Sequence, residues 1–489
     1  MEMGDLNVPV NSINESHSGS PSPTTKKLLV FLVAAALFCD YLLLSCVIPI
    51  LPDFLAKSFT DVQIGLLFAS KPATQLLANT VMGPMVDTRG PKLILWGSTF
   101  ILGLSTGVFA YGLTFEDRTA AYYVLLGARM VQGISSSAIM SAGMTSIAMT
   151  HHPSIHGSVM GAATAGVAAG VVLGPPIGGV MSDELSRPAV FYLVSGLLAF
   201  SLALQTYYFL SGRFEDDAQG KVTLFREPLM SHSEHSNSDA VVSASTAHQR
   251  PAAVSYGSSA GQDDNSGIQL PATSEAEQQP TPPSFVQLLV PVFRQPHIMV
   301  VALGNFFGNF CVGMMEVLVP LFLKEQYGES EEQQGLTFGV MSLAFLLATP
   351  VAGVMADKFP KFKVFMFGPV CAGLGLICLS WAHKLGMMYV SLVMTGVGVA
   401  FIDTPSLALM TNVAQWKGIS QLGSVYSLQD MCTCLGFALG PVIATAVKQE
   451  LGLPDAGIMT GSLLLLYSPF VLYLRDVPEP SDEEEISSL

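Results

Sequence analysis

Apart from Arg129, five ionisable residues interrupt long apolar segments of this sequence: Asp40, Lys71, Glu316, Asp403 and Asp430. At the centre of a membrane-spanning helix, an Asp or Lys side chain costs roughly 2.5–3.5 kcal/mol on insertion scales. Five such residues together are too costly to be incidental. Carboxylates in this setting can bind a proton, an organic cation or both in alternation, so the pattern predicts a binding site.

The segments around these residues are apolar and long enough to cross a membrane. Half of the 489 residues are hydrophobic, only 12% are charged, and the mean hydropathy is +0.49. A soluble chain is about a quarter charged, and no basic patch suited to nucleic acid is present. Segments of about 20 apolar residues predict membrane-spanning helices, here near 28–51, 62–84, 93–113, 121–148, 158–181, 189–210, 297–322, 334–356, 364–382, 387–411, 422–446 and 456–474. The sequence therefore predicts an all-α membrane protein with twelve transmembrane helices.

The predicted spans fall into two groups of six, at 28–210 and 291–475. Residues 211–290 between them are rich in Ser, Gln, Asp, Ala and Pro and cannot bury a core, which predicts a disordered linker. The N-terminal segment 1–27 and the acidic segment 476–489 are predicted to be tails. Most of the 22 Lys and Arg residues share a side with the N-terminus, so we expect both tails and the linker to be cytosolic.

The two groups of spans repeat each other. Residues 157–159 (Gly-Ser-Val) recur at 423–425, and residues 83–87, which end in Asp, recur in modified form at 353–357. The offset is close to 270 residues in both places, which indicates duplicated six-helix units. Repeats of this kind build transporters that rock around a central site.

The buried charges lie outside the repeated scaffold. Asp430 aligns with Thr164, and Lys71 aligns with Met341. One lysine against four acids leaves the predicted cavity negative, which suits a cationic substrate. Nearby aromatic side chains either hold an amine by cation–π contact or simply pack between helices; they include Phe68, Phe345 and Phe437.

The loop after the second span, residues 83–92, follows the pattern G-x-L-A-D-R-x-G-R-K, with its main departures at Thr88 and Pro91. This pattern resembles a signature loop of the major facilitator superfamily. The resemblance implies that this loop clamps neighbouring helix ends on the cytosolic face, with Asp357 as a weaker copy. The residues expected to form this gate are Gly83, Asp87, Arg89 and Gly90. The alternative is an ordinary basic loop.

Two further motifs point to proton-coupled exchange. Arg129, Gln132 and Gly133 in the fourth span are similar to the R-x-x-Q-G signature of proton-coupled members of that superfamily. The fifth span matches the antiporter motif of the superfamily at Gly161, Gly170, Gly174, Pro175, Gly178 and Gly179. Glycines four residues apart also let helices approach closely, so close packing alone is the alternative interpretation.

Five local segments in both halves narrow the resemblance further, at 38–55, 67–79, 314–316, 401–404 and 423–430. These segments resemble those of the vesicular amine transporters. Two features depart from that family. The connection between the first two spans is only about ten residues long, and Phe345 and Phe437 stand where the monoamine transporters have tyrosines. The chain therefore looks like a divergent member.

The resemblance implies a role for each buried group. Asp40 would bind the substrate ammonium, with Glu316 and Asn309 recognising its amine or polar substituents. Lys71 would pair with Asp430 and break that pair on protonation. Asp403 would carry a proton, and the remaining substrate-site candidates are Phe68, Asn79, Phe345 and Phe437.

We therefore expect a proton/organic-cation antiporter that works by alternating access, loading an acidic vesicle or vacuole. A plasma-membrane multidrug/proton antiporter is the alternative, and a non-transporting sensor on the same fold is a third hypothesis. No nucleophile–base pair stands out, so we do not expect an enzyme. We also expect no metal and no cofactor. The expected partners are a small cationic amine, protons and membrane lipid. We expect the proton gradient to supply the energy and the protein to be a monomer.

Overall fold

Each predicted span is an α-helix in the computed structural model, which describes residues 23–55, 58–211, 290, 292–327, 331–382, 384–451 and 453–479. The first six helices are α1 (Pro23–Leu55), α2 (Asp61–Arg89), α3 (Pro91–Gly112), α4 (Arg118–Thr150), α5 (His156–Glu184) and α6 (Arg187–Leu210). The next six are α7 (Pro296–Tyr327), α8 (Glu331–Lys358), α9 (Lys361–Ser380), α10 (Leu385–Trp416), α11 (Leu422–Leu451) and α12 (Leu453–Tyr467), and a 3₁₀ segment at Ser468–Asp476 extends the last. Most of the predicted linker and of the two predicted tails lies outside the described residues.

The ends of α2 follow from local sequence. Thr60 and Gln63 form a capping box, in which the Thr60 side chain accepts from the Gln63 backbone N–H and the Gln63 side chain accepts from that of Thr60. Gly90 ends the helix at a φ of 81°, a conformation that residues with a Cβ rarely adopt. Pro91 then starts α3, where its missing N–H is not needed.

Ten of the described helices are long and apolar enough to cross a membrane by length and composition. The remaining two of the twelve, α2 and α4, have 29 and 33 residues but carry polar side chains along much of their length. Among these are the buried cations Lys71 and Arg129, which interrupt the apolar stretches of both helices. The predicted all-α membrane fold is confirmed.

The helix contacts reproduce the internal repeat. In the first six helices α1 packs on α5, α4 packs on α2 and α3, and α3 packs on α6. The same pairs recur six helices later, with α7 on α11, α10 on α8 and α9, and α9 on α12. The two sets meet through α2 with α11 and through α5 with α8, which are also related by the repeat. The predicted pair of pseudo-symmetric six-helix bundles is therefore present.

Glycines allow α5 to approach α1 within backbone contact. A Cβ at Gly170 would lie 2.6 Å from the Phe38 carbonyl oxygen and 2.7 Å from the Leu42 nitrogen. The Ser45 hydroxyl uses this closeness to donate a 2.9 Å hydrogen bond to the Gly170 carbonyl. Close approach through small residues is a common way for membrane helices to associate.

Two glycines of the same motif give a matched stability test. We expect Gly170→Ala to lower the thermal unfolding midpoint in detergent, because overpacking costs about 1–3 kcal/mol. Gly179→Ala should leave the midpoint unchanged or raise it, since nothing lies within 4 Å of a Cβ there and Ala is the better helix former. Equal losses in the two variants would contradict this account of α5.

Candidate functional site

Asp40 of α1 is buried and makes polar contacts with side chains of α2 and α4. Its side chain is buried, and the Lys71 Nζ is 2.8 Å from its Oδ1. Ser136 of α4 donates a 2.6 Å hydrogen bond to the same oxygen. Gly133 brings α4 against α2 at this level, since a Cβ there would collide with the Lys71 carbonyl oxygen and the Thr74 hydroxyl. The pair is therefore built by close helix packing.

Asp430 of α11 is bound by α2, across the boundary between the two six-helix sets. Gln75 Nε2 lies 3.2 Å and 3.0 Å from its two carboxylate oxygens, and Asn79 Nδ2 donates a 2.7 Å bond to Oδ2. The predicted Lys71–Asp430 pair is not formed in this conformation, in which the Lys71 ammonium lies on Asp40. Lys71, Gln75 and Asn79 follow each other at four-residue spacing along α2, so the two amides occupy Asp430 while Lys71 reaches Asp40.

Asn79 has both amide atoms engaged by the protein. Its Nδ2 donates to Asp430, and its Oδ1 accepts a 2.7 Å hydrogen bond from Ser137. The neighbouring Ser136 bonds Asp40. Consecutive serines of α4 therefore support both acids, Ser136 by a direct bond to Asp40 and Ser137 through Asn79.

Asp403 of α10 lies beside α7. Its Oδ1 accepts a 3.1 Å hydrogen bond from Asn309 Nδ2, which also donates to the Asn305 carbonyl at 2.9 Å. The Asn309 side chain therefore bonds the Asp403 carboxylate in this conformation. Glu316, two turns further along α7, has an exposed side chain that makes no hydrogen bond or ion pair with the described part of the chain.

The three aromatic candidates are half-buried. Phe68 of α2 packs against the main apolar core, and Phe345 of α8 packs beside a smaller cluster that includes Phe401. Phe437 of α11 is likewise partly exposed. Packing between helices therefore accounts for part of each ring, and a role in binding substrate stays a prediction.

Arg129 and Gln132 of α4 are fully buried. None of the Arg129 side-chain nitrogens and neither Gln132 amide atom has a hydrogen-bond partner among the described residues. Arg129 lies within electrostatic range of Asp40 and Lys71. A guanidinium buried without hydrogen bonds is expensive, so this part of α4 has hydrogen-bonding capacity available near Asp40.

Two aspartates bind helix N-termini where the two six-helix sets meet. Asp87 of α2 accepts from the backbone N–H of Gly423 at 2.6 Å and of Ser424 at 2.8 Å, at the start of α11. Asp357 of α8 accepts from the backbone N–H of Gly157 and Ser158, both at 2.7 Å, at the start of α5. Carboxylates are stabilised at helix N-termini by the unpaired N–H groups and the helix dipole. We call these two contacts the clamps.

Glycines set the spacing of both clamps. A Cβ at Gly83 would lie 2.8 Å from the Ser424 Cα, and one at Gly353 would lie 2.6 Å from the Gly157 carbonyl oxygen. Gly161 extends the second contact, since its Cβ would lie 3.1 Å from the Gly353 Cα. Of the other motif residues, Gly174 packs on Ser45 and Cys46, Gly178 is buried, and Pro175 lies within α5. Arg89 is exposed, and its guanidinium lies 3.7 Å from the Met85 sulfur.

Several residues that complete the site were missed from the sequence, among them Gln75, Ser136 and Ser137. A signal was present, because Lys71 and Gln75 lie one helical turn apart. The serine run on α4 is harder to interpret, since hydroxyls in membrane helices commonly bond their own backbone. Ser135, for example, donates to the Val131 carbonyl at 3.1 Å.

A cavity of about 700 Å³ lies among α1, α4, α5, α6 and the α3–α4 connection. Phe54 lines it, with the Arg118 guanidinium 4.1 Å and the Arg187 guanidinium 5.8 Å from the ring centroid. Of the predicted site residues, only Gly179 lines this cavity. It is therefore separate from the buried acids.

Known proteins of one transporter family are similar to this chain over most of its length. The family model described as Major Facilitator Superfamily matches residues 33–330 and 298–488. The synaptic vesicular amine transporter of Bos taurus is 25% identical over 430 residues, which are 88% of this chain and 69% of that protein. The human chromaffin granule amine transporter is 26% identical over 437 residues, covering 89% and 69%.

Two further relatives extend the likeness. A probable vesicular acetylcholine transporter of Danio rerio is 24% identical over 487 residues, which cover 94% of this chain and 81% of that protein. Among solved structures, the human organic anion transporter MFSD10 superposes with a TM-score of 0.63 at 16% identity, covering 91% of this chain and 99% of that one. At that identity the superposition shows a shared fold and nothing about the substrate.

The Asp87 clamp yields a prediction about opening between α2 and α11. Asp87→Asn removes charge-assisted bonds of about 1.5–3 kcal/mol in total, so we expect a shift of about tenfold or more towards the open arrangement. The readout is the rate at which a water-soluble maleimide labels Ser427→Cys in a cysteine-free background. Ser427 is fully buried here, beside Gly83.

Arg89→Gln is the control, because Arg89 is exposed and makes no hydrogen bond or ion pair with the described part of α11. It should leave the labelling rate unchanged. If Asp87→Asn labelled no faster than the control, Asp87 would not hold α2 and α11 together.

Proposed function

The chain belongs to the Major Facilitator Superfamily, and we propose that it is a proton-coupled antiporter for an organic amine. The observation that carries this proposal is the buried Lys71–Asp40 pair, in which a carboxylate already holds an ammonium group at 2.8 Å. A substrate ammonium ion offers the same charge and hydrogen bonds. The likeness to amine transporters of synaptic vesicles and chromaffin granules supports the same class of cargo.

The charge balance around the site favours a cation. Four carboxylates, on Asp40, Glu316, Asp403 and Asp430, interrupt the apolar helices, whereas the cations buried within α2 and α4 are Lys71 and Arg129. Glu316 makes no ion pair with the described residues, so it can accept a second polar contact from the amine. Half-buried aromatic rings such as Phe437 would cover the apolar body of the substrate.

Asp430 and Asp403 are the proposed proton carriers. An ionised Asp430 accepts hydrogen bonds from Gln75 and Asn79 of α2. Protonation removes the charge that makes these bonds strong, so α11 can separate from α2. Movement of the two six-helix sets about a central site is the usual basis of alternating access.

The basic residues set the proposed orientation. With both tails cytosolic, the clamps of Asp87 and Asp357 close the cytosolic side, and the amine site would open to the opposite side. An acidic vesicle or vacuole would supply the protons that drive amine inward. A plasma-membrane exporter of lipophilic cations would use the same site chemistry, and the half-buried aromatic rings would suit its cargo.

Uptake by proteoliposomes with an acidic interior tests the proposal directly. The probes are labelled serotonin, spermidine, acetylcholine and tetraphenylphosphonium, so that vesicular amines and lipophilic drugs are compared in one assay. We expect saturable uptake of at least one amine that collapses when nigericin dissipates the pH gradient. Uptake of tetraphenylphosphonium alone would favour the drug-export alternative, and no saturable uptake of any cation would exclude both.

Asp40→Asn should abolish uptake of whichever amine the wild type carries, because the ammonium loses its counter-charge. The measurement is the initial uptake rate in the same vesicles. Asp476→Asn is the control, since Asp476 is exposed and pairs with the exposed Arg475. It should transport like the wild type, and retained transport by Asp40→Asn would refute the assignment of Asp40.

Lys71→Met should separate binding from transport. Without the competing ammonium, the amine should bind Asp40 about tenfold more tightly at neutral pH, a coupling of ordinary size. Gradient-driven uptake should fall, because no cation remains to displace the amine for release. Equilibrium binding of the labelled amine and its uptake are measured on the same preparation.

The control is Lys417→Met, which removes an exposed lysine that lies over Trp416 outside the site. Binding and uptake should both stay at the wild-type level. Weaker amine binding in Lys71→Met would show that Lys71 assists the substrate and does not compete with it.

A further inference from the structure

A second polar network lies among α7, α10 and α11, and it starts at the residue next to Asp430. Gln429 Nε2 donates a 2.9 Å hydrogen bond to the Ser406 hydroxyl of α10. Gln429 and Ser406 are both buried. The bond therefore joins α11 to α10 in a region from which water is excluded, where a lost hydrogen bond is costly.

Ser406 in turn contacts the backbone of Asp403. Its hydroxyl oxygen lies 2.6 Å from the Asp403 carbonyl oxygen and 3.2 Å from Asn305 Oδ1 on α7. One hydroxyl proton can fully satisfy only one of these two acceptors. The preferred acceptor depends on how α10 is placed against α7, and Asn309 of α7 holds the Asp403 carboxylate.

Consecutive residues of α11 thus contact opposite sides of the molecule. Asp430 is bound by Gln75 and Asn79 of α2, in the first six-helix set. Gln429 is bound to Ser406 of α10, in the second set. Gln429 and Asp430 are adjacent on one continuous helix, α11. A displacement of α11 away from α2 that α10 does not share therefore changes the Gln429–Ser406 contact.

We propose that Gln429 and Ser406 are positioning residues that couple Asp430 to Asp403. Through this link, both acids bind or release their protons in the same conformational step. This inference rests on the proposed antiport function and identifies the contact that would synchronise the protonation of Asp430 and Asp403. Release of Asp430 from α2 shifts α11, and Gln429 carries that shift to Ser406. Ser406 then alters the position of α10 against Asn309, which holds Asp403.

The other ionisable groups near the two acids do not take part in this link. Lys71 of α2, Asp40 and Tyr41 of α1, and Cys432 and Cys434 of α11 lie within electrostatic range of Asp430, and Tyr41 also senses Asp403. No described ionisable side chain bonds to Gln429 or Ser406. Removing the Gln429–Ser406 bond therefore leaves the charges around both acids unchanged.

The test measures initial uptake of the wild-type amine in proteoliposomes as a function of internal pH. If one step requires both protons, the wild-type profile is steep, with an apparent order of about two, and uncoupled acids give a shallower profile. We expect Gln429→Leu and Ser406→Ala each to lower the order towards about one and the rate about fivefold, the effect of roughly one hydrogen bond. The KM for the amine should change less than about threefold, because neither residue is proposed to touch the substrate.

Ser391→Ala is the matched control. It removes a buried hydroxyl from the same helix α10, whose hydrogen bond stays within that helix at the Met387 carbonyl. It should keep the steep profile. Ser406→Ala removes a single oxygen atom, so it tests the link even if the larger change at Gln429 impairs folding, and thermal unfolding of each variant checks this.

The outcomes separate the two levels of the proposal. A wild type that transports no cation refutes the antiport function itself. An active wild type with a steep profile that both Gln429→Leu and Ser406→Ala retain refutes the coupling alone, as does an equal loss of steepness in Ser391→Ala. Loss of steepness in Gln429→Leu and Ser406→Ala, with KM preserved and Ser391→Ala unaffected, supports it.

Discussion

A carboxylate buried among apolar helices must be solvated by the protein, and this requirement organises the whole bundle. Asp430 receives its hydrogen bonds from α2, on the other side of the boundary between the six-helix sets. Asp40 receives its partners from α2 and α4. An uncompensated buried ion costs several kcal/mol. The groups proposed to carry protons and amine are therefore the same groups that hold the helices together, so any change of charge there changes helix contacts.

The scaffold around these groups is symmetric, whereas the charges are not. Asp87 and Asp357 bind the starts of α11 and α5 in equivalent ways, and glycines set the spacing on both sides. Two equivalent contacts allow the halves to close and open as similar bodies. The acids break the symmetry, since Asp40 and Asp430 have no charged counterpart in the repeat. A symmetric scaffold with an asymmetric site therefore separates the contacts that the proposed mechanism would open from the residues that would select the substrate.

The sequence predicted the helices and the two buried acids Asp40 and Asp430 because both depend on local composition, since an apolar background makes a single Asp conspicuous. Asp403 is only partly buried and Glu316 is exposed, a difference that was not predictable because composition does not show which face of a helix is covered. Partner choice was not predictable in the same way. Whether Lys71 meets Asp40 or Asp430 depends on how α1, α2 and α11 are rotated, and no local pattern encodes that rotation. The roles of Ser136 and Gln429 were missed for a related reason, since polar side chains in a membrane helix can bond their own helix as readily as another.

Helix α2 explains how amine and proton could exclude each other under the proposed mechanism. Lys71, Gln75 and Asn79 form one stripe along it, with the lysine on Asp40 and the two amides on Asp430. An amine that takes Asp40 leaves the Lys71 ammonium without a counter-charge, and Asp430 is the acid already bound to the same stripe. A proton on Asp430 removes that second anion, so Lys71 must return to Asp40 and expel the amine. Under this mechanism the Lys71–Asp430 pair expected from sequence forms when the amine occupies Asp40, and the Lys71–Asp40 pair forms again when the amine leaves.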